Sequence, residues 1–138
     1  MNILILGCGA REDIIREKLL INSANVNRVF VETLSKQETI EFIANNSIEL
    51  VIPSSEHYLC NGYTDHINKN APECKVFGPS LLQSHLEANK NYSKILMKTH
   101  RLPSADYTFF QTKNQCMDYF NNYNVDPNKI VLKYSGLA

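Results

Sequence analysis

Two glycines separated by one residue follow an apolar segment near the start of the chain. Residues 2–6 form this segment, and Gly7-Cys8-Gly9 comes directly after it. A short β-branched run that stops at glycine indicates a buried strand, and the residues after Gly9 have helical periodicity. Free N–H groups at such a helix start can bind an anion. Two interpretations stay open: a phosphate or ribose-phosphate site, or a turn that needs glycine only for its sharp bend.

Three charged residues extend this candidate site. Arg11 and Glu12 begin the predicted helix, and Glu56 lies in a predicted loop after a third strand that Pro53 ends. The carboxyl ends of parallel strands share one sheet edge, which is where ligands bind in such folds. The three side chains could therefore bind a substrate. Equally, Arg11 and Glu12 could form a surface pair worth under about 1 kcal/mol, and Glu56 could be a solvated loop acid.

Three other chemistries fit the residues less well. Glu32 ends the second strand, where dinucleotide-binding folds place a ribose-binding acid, but Glu12 stands where their fingerprint requires glycine. Cys8, at a helix start, is either a reactive thiol or a residue that fills the turn. A zinc site is not expected, because two histidines and two cysteines match no closed zinc module: His57, Cys60, His66 and Cys74.

Strands alternate with helices along most of the chain. Strands are predicted at 2–6, 28–31, 49–52 and 75–77, and helices at 11–22, after Ser35, at 59–68, after Ser80 and at 90–99. Ser35 with Glu38, and Ser80 with Gln83, have the spacing of capping boxes. The alternation predicts an α/β fold, with a three-layer, doubly wound and mainly parallel sheet of the Rossmann-like kind.

The last third of the chain has a briefer version of the same pattern. Strands are predicted at 107–110 and 129–134 around a helix at 114–123, a β-α-β piece with too few strands to stand alone. We therefore expect a domain at 1–102 and a separate fragment at 103–138. Aromatic residues in this part predict either a small core or an exposed patch suited to a homodimer or a partner chain: Tyr107, Phe109, Phe110, Tyr119, Phe120 and Tyr123.

Composition limits the remaining function classes. The chain has 138 residues, with 14 basic and 14 acidic side chains that cancel, so no charge excess favours nucleic acid or an anionic membrane. No apolar run approaches the roughly 20 residues of a membrane span, and no signal peptide is recognisable. The four dispersed cysteines predict reduced thiols in a cytoplasmic protein.

Several segments, taken in chain order, resemble glycinamide ribonucleotide synthetase, also called phosphoribosylamine–glycine ligase. They are GCGARE, RVFV, Ser55-Glu56, VFGPS, NKNYSKILMKTHRLPSADY and IVLKYSGLA. The resemblance implies a ligase of purine biosynthesis, in the ATP-grasp superfamily, which joins phosphoribosylamine to glycine with ATP and Mg²⁺. It also implies that 1–102 is the domain preceding the ATP-grasp domain and that 103–138 is the beginning of that domain.

The positions of this sequence match the family's motifs to different degrees. It implies substrate or phosphate contacts at five positions: Gly7, Gly9, Arg11, Glu12 and Glu56. Lys90 and Lys133 match two lysines that contact the nucleotide in ATP-grasp enzymes, a task that suits a compact cation. Ala10 and Asp13 depart from the family's G-x-G-G-R-E-H motif, and Ser54-Ser55 stand where the family has Gly-Pro.

Two parts of the family pattern have no counterpart in this sequence. A P-G-N-x-G-T loop and a further strand are missing after Glu32, and no glycine-rich phosphate loop or set of Mg²⁺ carboxylates follows the lysine strand. Phosphoryl transfer depends on such charge-stabilising groups. We therefore expect a truncated relative without activity of its own, which binds no cofactor alone and at most binds a phosphorylated sugar or nucleotide or acts through a protein partner. The alternative is the amino-terminal piece of an active ligase that another chain completes.

Overall fold

The structure, a computed structural model, describes residues 1–22, 24–123 and 126–136. Within these residues it contains four strands: β1 Asn2–Leu6, β2 Arg28–Glu32, β3 Leu50–Pro53 and β4 Lys75–Val76. The same residues contain seven α-helices: α1 Ala10–Asn22, α2 Lys36–Asn46, α3 Glu56–Cys60, α4 Tyr63–Asn70, α5 Leu81–Ala88, α6 Lys90–Thr99 and α7 Lys113–Asn122. A short 3₁₀ helix covers Pro127–Lys129.

The four strands form one parallel sheet in the order β2-β1-β3-β4. This confirms the predicted α/β class with a parallel sheet. The strand β1 lies inside the sheet, and Leu6 at its end pairs with Glu32 of β2 and with Pro53 of β3. Three strands therefore end at the same level, which brings the segments that follow them to one edge.

Helices cover both faces of the sheet. Side chains alternate along β1, so each face presents apolar side chains on which helices pack. Leu4 and Leu6 join a core with Ile43 of α2 and Ile67 of α4. On the opposite face, Ile3 and Ile5 pack with Ile15 and Leu19 of α1. The predicted three layers are present in this part of the chain.

The chain divides into two compact units, Met1–His85 and Leu86–Ala138. The first contains the whole sheet, and the second contains α6, α7 and the 3₁₀ helix. The predicted boundary at 102 stays a prediction. None of the helices in the described part of the chain combines the length and the hydrophobicity that a membrane span requires.

Three predictions about helices are corrected. The helix predicted at 59–68 is two helices, because Gly62 between α3 and α4 takes a left-handed conformation with φ of 71°. Glu56 is the first residue of α3 and does not lie in a loop. The helix predicted at 11–22 begins one residue earlier, at Ala10, and within it Ile15 and Leu19 pack against the sheet while Ile14 is exposed.

The two strands predicted at 107–110 and 129–134 are wrong for the part of the chain that is described. Neither segment contains a strand: residues 107–110 and 130–134 have no regular secondary structure, and Lys129 ends the 3₁₀ helix. A strand needs a neighbour for its backbone hydrogen bonds, and all described strands belong to the first unit. Val131, Leu132 and Tyr134 are accordingly exposed.

Candidate functional site

Backbone hydrogen bonds fix two of the loops at the carboxyl edge of the sheet. The Gly7 N–H donates to the carbonyl of Glu32 at 3.0 Å, and the Ser54 N–H donates to the carbonyl of Leu6 at 3.1 Å. The turn after β1 is therefore bound to β2, and the segment after β3 is bound to β1. The predicted site residues project from these fixed positions.

The side chain of Glu12 occupies the glycine turn. Glu12 is only 5% exposed, although it belongs to the first turn of α1. A Cβ atom on Gly7 would lie 2.8 Å from Glu12 Oε1, and one on Gly9 would lie 3.3 Å from Glu12 Oε2. Both carboxylate oxygens thus lie where glycine leaves room, and a side chain at position 7 would displace the carboxylate of Glu12.

Ser54 connects the turn to the end of β3. Its hydroxyl is hydrogen-bonded to Glu12 Oε1 and also lies 3.2 Å from the carbonyl oxygen of Leu6. Its carbonyl oxygen accepts from Arg11 Nη1 at 2.9 Å. Sequence reasoning did not identify Ser54 as a site residue. The available signal was a hydroxyl directly after Pro53, where a predicted strand ends at the ligand edge.

Arg11 and Glu56 form an ion pair at the rim of the site. Arg11 Nη1 and Nη2 lie 3.3 and 3.4 Å from Glu56 Oε1. The side chains remain 57% and 43% exposed, so the pair is accessible to a ligand. The pKa of Glu56 lies below its ordinary value, first because its own backbone N–H binds the carboxylate and then because Arg11 lies beside it, while partial desolvation opposes both effects.

A cleft of about 500 Å³ adjoins this cluster. Arg11 and Ser54 form its polar side, and Ile52, Val76 and Phe77 contribute apolar surface. Phe77 is 74% exposed, so an aromatic face is available to a bound molecule. The cleft therefore offers charged and apolar contacts next to each other.

The first unit thus brings together all five residues that were predicted to bind substrate or phosphate. Gly7 and Gly9 enclose the carboxylate of Glu12, while Arg11 pairs with Glu56 at the rim. Whether any of them contacts a ligand stays a prediction. Cys8 is exposed beside them, and the four cysteines form no disulfide.

Lys90 and Lys133 both belong to the second unit. Lys90 Nζ donates to the carbonyl of Gly136 at 2.7 Å, so its ammonium group binds backbone. Lys133 is exposed. Their contact with a nucleotide stays a prediction. Within the described ranges, no three His, Cys, Asp or Glu side chains are placed to hold a metal ion.

The aromatic residues of the second unit form a partly exposed cluster. The rings of Tyr119 and Tyr123 stack with centroids 4.8 Å apart, and Phe110 lies 5.3 Å from Tyr119. This cluster borders an open cleft of about 540 Å³. None of the six aromatic residues is buried, so a small core is not formed here, and the rings lie exposed or half-buried. Pairing with another chain through them stays a prediction.

Fold and site together define the class of the first unit. It is a doubly wound α/β domain with a charged cluster at the carboxyl edge of a parallel sheet, the position at which such domains bind ligands.

The family model described as "Phosphoribosylglycinamide synthetase, N domain" matches residues 1–87. This match covers more than half of the chain, and the chain belongs to this family. The resemblance inferred from the sequence motifs is thereby confirmed.

The names of similar curated proteins agree with this family. Phosphoribosylamine–glycine ligase of Lactococcus lactis subsp. lactis is 30% identical over all of this chain and 36% of the relative. The ligase of Clostridium acetobutylicum is 28% identical with the same coverage. The trifunctional purine biosynthetic protein adenosine-3 of Chironomus tentans is 31% identical over 99% of this chain and 11% of its own length.

The chain spans about a third of the length of these bacterial ligases, 36% in both cases. The Lactococcus alignment extends over 155 positions for a chain of 138 residues, so gaps open in this chain. The structure places only residues 33–35 between β2 and α2. This confirms the prediction that the chain passes directly from the second strand to the next helix.

Proposed function

We propose that this chain provides the sugar-phosphate-binding part of a phosphoribosylamine–glycine ligase, with the ligand at the carboxyl edge of the sheet. The observation that carries the proposal is the cluster of Arg11, Ser54 and Glu56 beside a cleft, in a domain of this family. The substrate class is taken from the names of the relatives.

The chemistry of the cluster suits such a ligand. A phosphoribosylamine carries an amine and hydroxyls, which donate hydrogen bonds, and a phosphate, which accepts them. A glutamate of ordinary pKa is ionised at neutral pH, and the pKa of Glu56 lies lower still, so its carboxylate can accept from an amine or a hydroxyl. Arg11 has five N–H donors, and its bonds to Ser54 and Glu56 leave others for a ligand.

Calorimetry with ribose 5-phosphate tests the proposal directly. We expect binding to the wild-type chain and an affinity reduced about tenfold or more in Arg11→Ala, since a hydrogen bond to a charged group contributes about 1.5–3 kcal/mol. Arg16→Ala is the matched control, because Arg16 is an exposed arginine on the same helix.

Two results would count against this function. One is the absence of measurable heat with ribose 5-phosphate at millimolar concentration. The other is an equal loss of affinity in Arg11→Ala and Arg16→Ala, which would indicate a general charge effect and no defined site. Thermal unfolding of each variant shows whether the fold is intact.

We further propose that turnover requires the parts of the relatives beyond the matched third, and that the chain alone is inactive. The chain could then act as a binding module or form an active ligase together with another polypeptide. A ligase assay with ATP, glycine and phosphoribosylamine separates these possibilities. Turnover by the chain alone would refute inactivity, and turnover only after addition of the remaining part of a relative would favour the two-chain ligase.

The second unit enters this proposal as the beginning of an ATP-grasp domain. Its support is the resemblance of the segments around Lys90 and Lys133, including the latter's IVLKYSGLA sequence. In this proposal the two lysines contact a nucleotide. The aromatic cluster forms the contact with another chain. Binding of the sugar phosphate to the first unit requires neither ATP nor Mg²⁺.

A further inference from the structure

We propose that Glu12 keeps phosphate out of the Gly7-Cys8-Gly9 turn. This inference rests on the proposed function for the identity of the ligand, but the exclusion of phosphate can be tested without it. Glutamate is almost never fully buried unless it is paired, yet Glu12 is only 5% exposed.

Glu12 occupies space that a phosphate at the turn would need. The turn is the place where a strand-turn-helix unit can bind an anion, because the first N–H groups of α1 have no partner within the helix. In this chain the carboxylate of Glu12 lies over the Cα atoms of Gly7 and Gly9, within 2.8–3.3 Å of the positions of their missing Cβ atoms. An incoming phosphate cannot share this volume.

The charge of Glu12 also opposes a phosphate at the turn. A carboxylate near the N-terminus of a helix is stabilised by the helix dipole, as a bound phosphate would be. Because Glu12 is part of the chain, its carboxylate is present at an effective concentration of roughly millimolar or more. Glu12 is 5% exposed, so solvent weakens its repulsion of a second anion very little. The turn thus contains its own anion.

Ser54 holds the Glu12 side chain in the turn. The hydroxyl of Ser54 is hydrogen-bonded to the carboxylate, and Ser54 is itself bound to Leu6 and Arg11. Glu12 is therefore fixed by a residue from a neighbouring strand end. A ligand phosphate therefore has to lie outside the turn, for example in the adjoining cleft that Arg11 and Ser54 line. A dinucleotide pyrophosphate is excluded for the same reason.

Titration with inorganic phosphate tests the inference, with the amide signals of Gly7 and Gly9 followed by ¹⁵N NMR. We expect no shift in the wild type and an affinity for phosphate at least about tenfold higher in Glu12→Ala, since removal of a like charge at contact distance is worth more than 1.4 kcal/mol. Glu12→Gln keeps the volume and removes the charge, and it should gain less. Glu17→Ala, an exposed position on the same helix, is the matched control and should gain nothing.

A shift of the Gly7 and Gly9 amides in the wild type, with the same affinity as in Glu12→Ala, would overturn the inference. So would an equal gain in Glu17→Ala. If Glu12→Ala does not fold, Ser54→Ala loosens the carboxylate while keeping its charge, and it should give a smaller gain than Glu12→Gln. The two proposals can fail separately. If Glu12→Ala binds phosphate but no variant binds ribose 5-phosphate, the proposed function is refuted. The same result supports the exclusion of phosphate by Glu12.

Discussion

At the scale of single residues, the site depends on the coupling of Gly7 with Glu12. Gly7 has a φ of 150°, which side chains rarely adopt, and a Cβ atom there would contact the Glu12 side chain at 2.8 Å. The same glycine therefore permits the backbone conformation and leaves room for the carboxylate. A substitution at position 7 should cost stability through both effects.

We expect Gly7→Ala to lower the free energy of unfolding by about 1–3 kcal/mol because of its strained φ. In a Glu12→Ala background, Gly7→Ala should lower the free energy of unfolding by at least about 0.5 kcal/mol less. The contact between the new Cβ atom and the Glu12 side chain is then gone, while the backbone strain at position 7 remains. Urea unfolding of the four proteins measures this coupling. Cys8→Ala, an exposed neighbour in the same turn, serves as control and should have little effect. A coupling of zero would mean that Glu12 does not occupy the turn.

Ser54 shows what sequence reasoning about single residues could not provide. The residue types of Arg11, Glu12 and Glu56 were sufficient to nominate them, because charged groups at strand ends are typical of binding sites. The burial of Glu12 could not be predicted, since glutamate is almost never fully buried unless it is paired. Its partner Ser54 lies 42 positions away in sequence, and only the parallel register of β1 and β3 brings the two together.

At the scale of elements, the start of α2 is specified by a local motif. Ser35 is the N-cap, its hydroxyl accepts from the Glu38 N–H, and its own N–H donates to Glu38 Oε2 at 2.8 Å. The predicted capping box is thus confirmed, and the box at Ser80 and Gln83 forms in the same way. Such motifs are readable from sequence because all their atoms lie within one turn.

We expect Ser35→Ala to lower the free energy of unfolding by about 1 kcal/mol, because it leaves an N–H at the helix start without an acceptor. Ser35→Asp supplies an equivalent acceptor and should keep most of the stability. Urea unfolding at neutral pH measures both variants. Equal stability of Ser35→Ala and the wild type would show that this cap does not contribute.

The capping box of Ser35 and Glu38 should also make the free energy of unfolding depend on pH. The hydroxyl and then the backbone N–H of Ser35 lower the pKa of Glu38 from 4.5. A carboxyl with a lowered pKa in the folded state stabilises the fold above its ordinary pKa, and this contribution is lost as the pH falls through the lowered value. Wild-type stability should therefore fall more steeply than that of Glu38→Gln when unfolding is measured below pH 4.5. Parallel curves would contradict this.

Other elements could not be predicted, and the reasons are physical. The break between α3 and α4 depends on Gly62, whose left-handed conformation the apolar pattern does not reveal. The segments at 107–110 and 129–134 have strand-forming residues, but a strand exists only with a neighbour, and none is formed in the described residues. Periodicity thus predicted the elements whose partners lie in the same sheet, and failed for the two segments that have no neighbouring strand among the described residues.

At the scale of the whole molecule, the family and the sheet account for the position of the site. The parallel order β2-β1-β3-β4 brings the ends of three strands to one edge, and the family match at residues 1–87 includes every residue of the charged cluster. The cleft beside the cluster lies within the same unit. The first unit therefore has all the groups on which the proposed binding depends.

The most direct measurement is an ¹⁵N NMR titration of the chain with ribose 5-phosphate. We predict that the largest amide shifts occur at Arg11, Ser54, Glu56 and Phe77, and that Arg11→Ala reduces them. If no amide shifts at millimolar ligand, or if the largest shifts fall within α7, the sheet edge is not the binding site and the central claim is wrong.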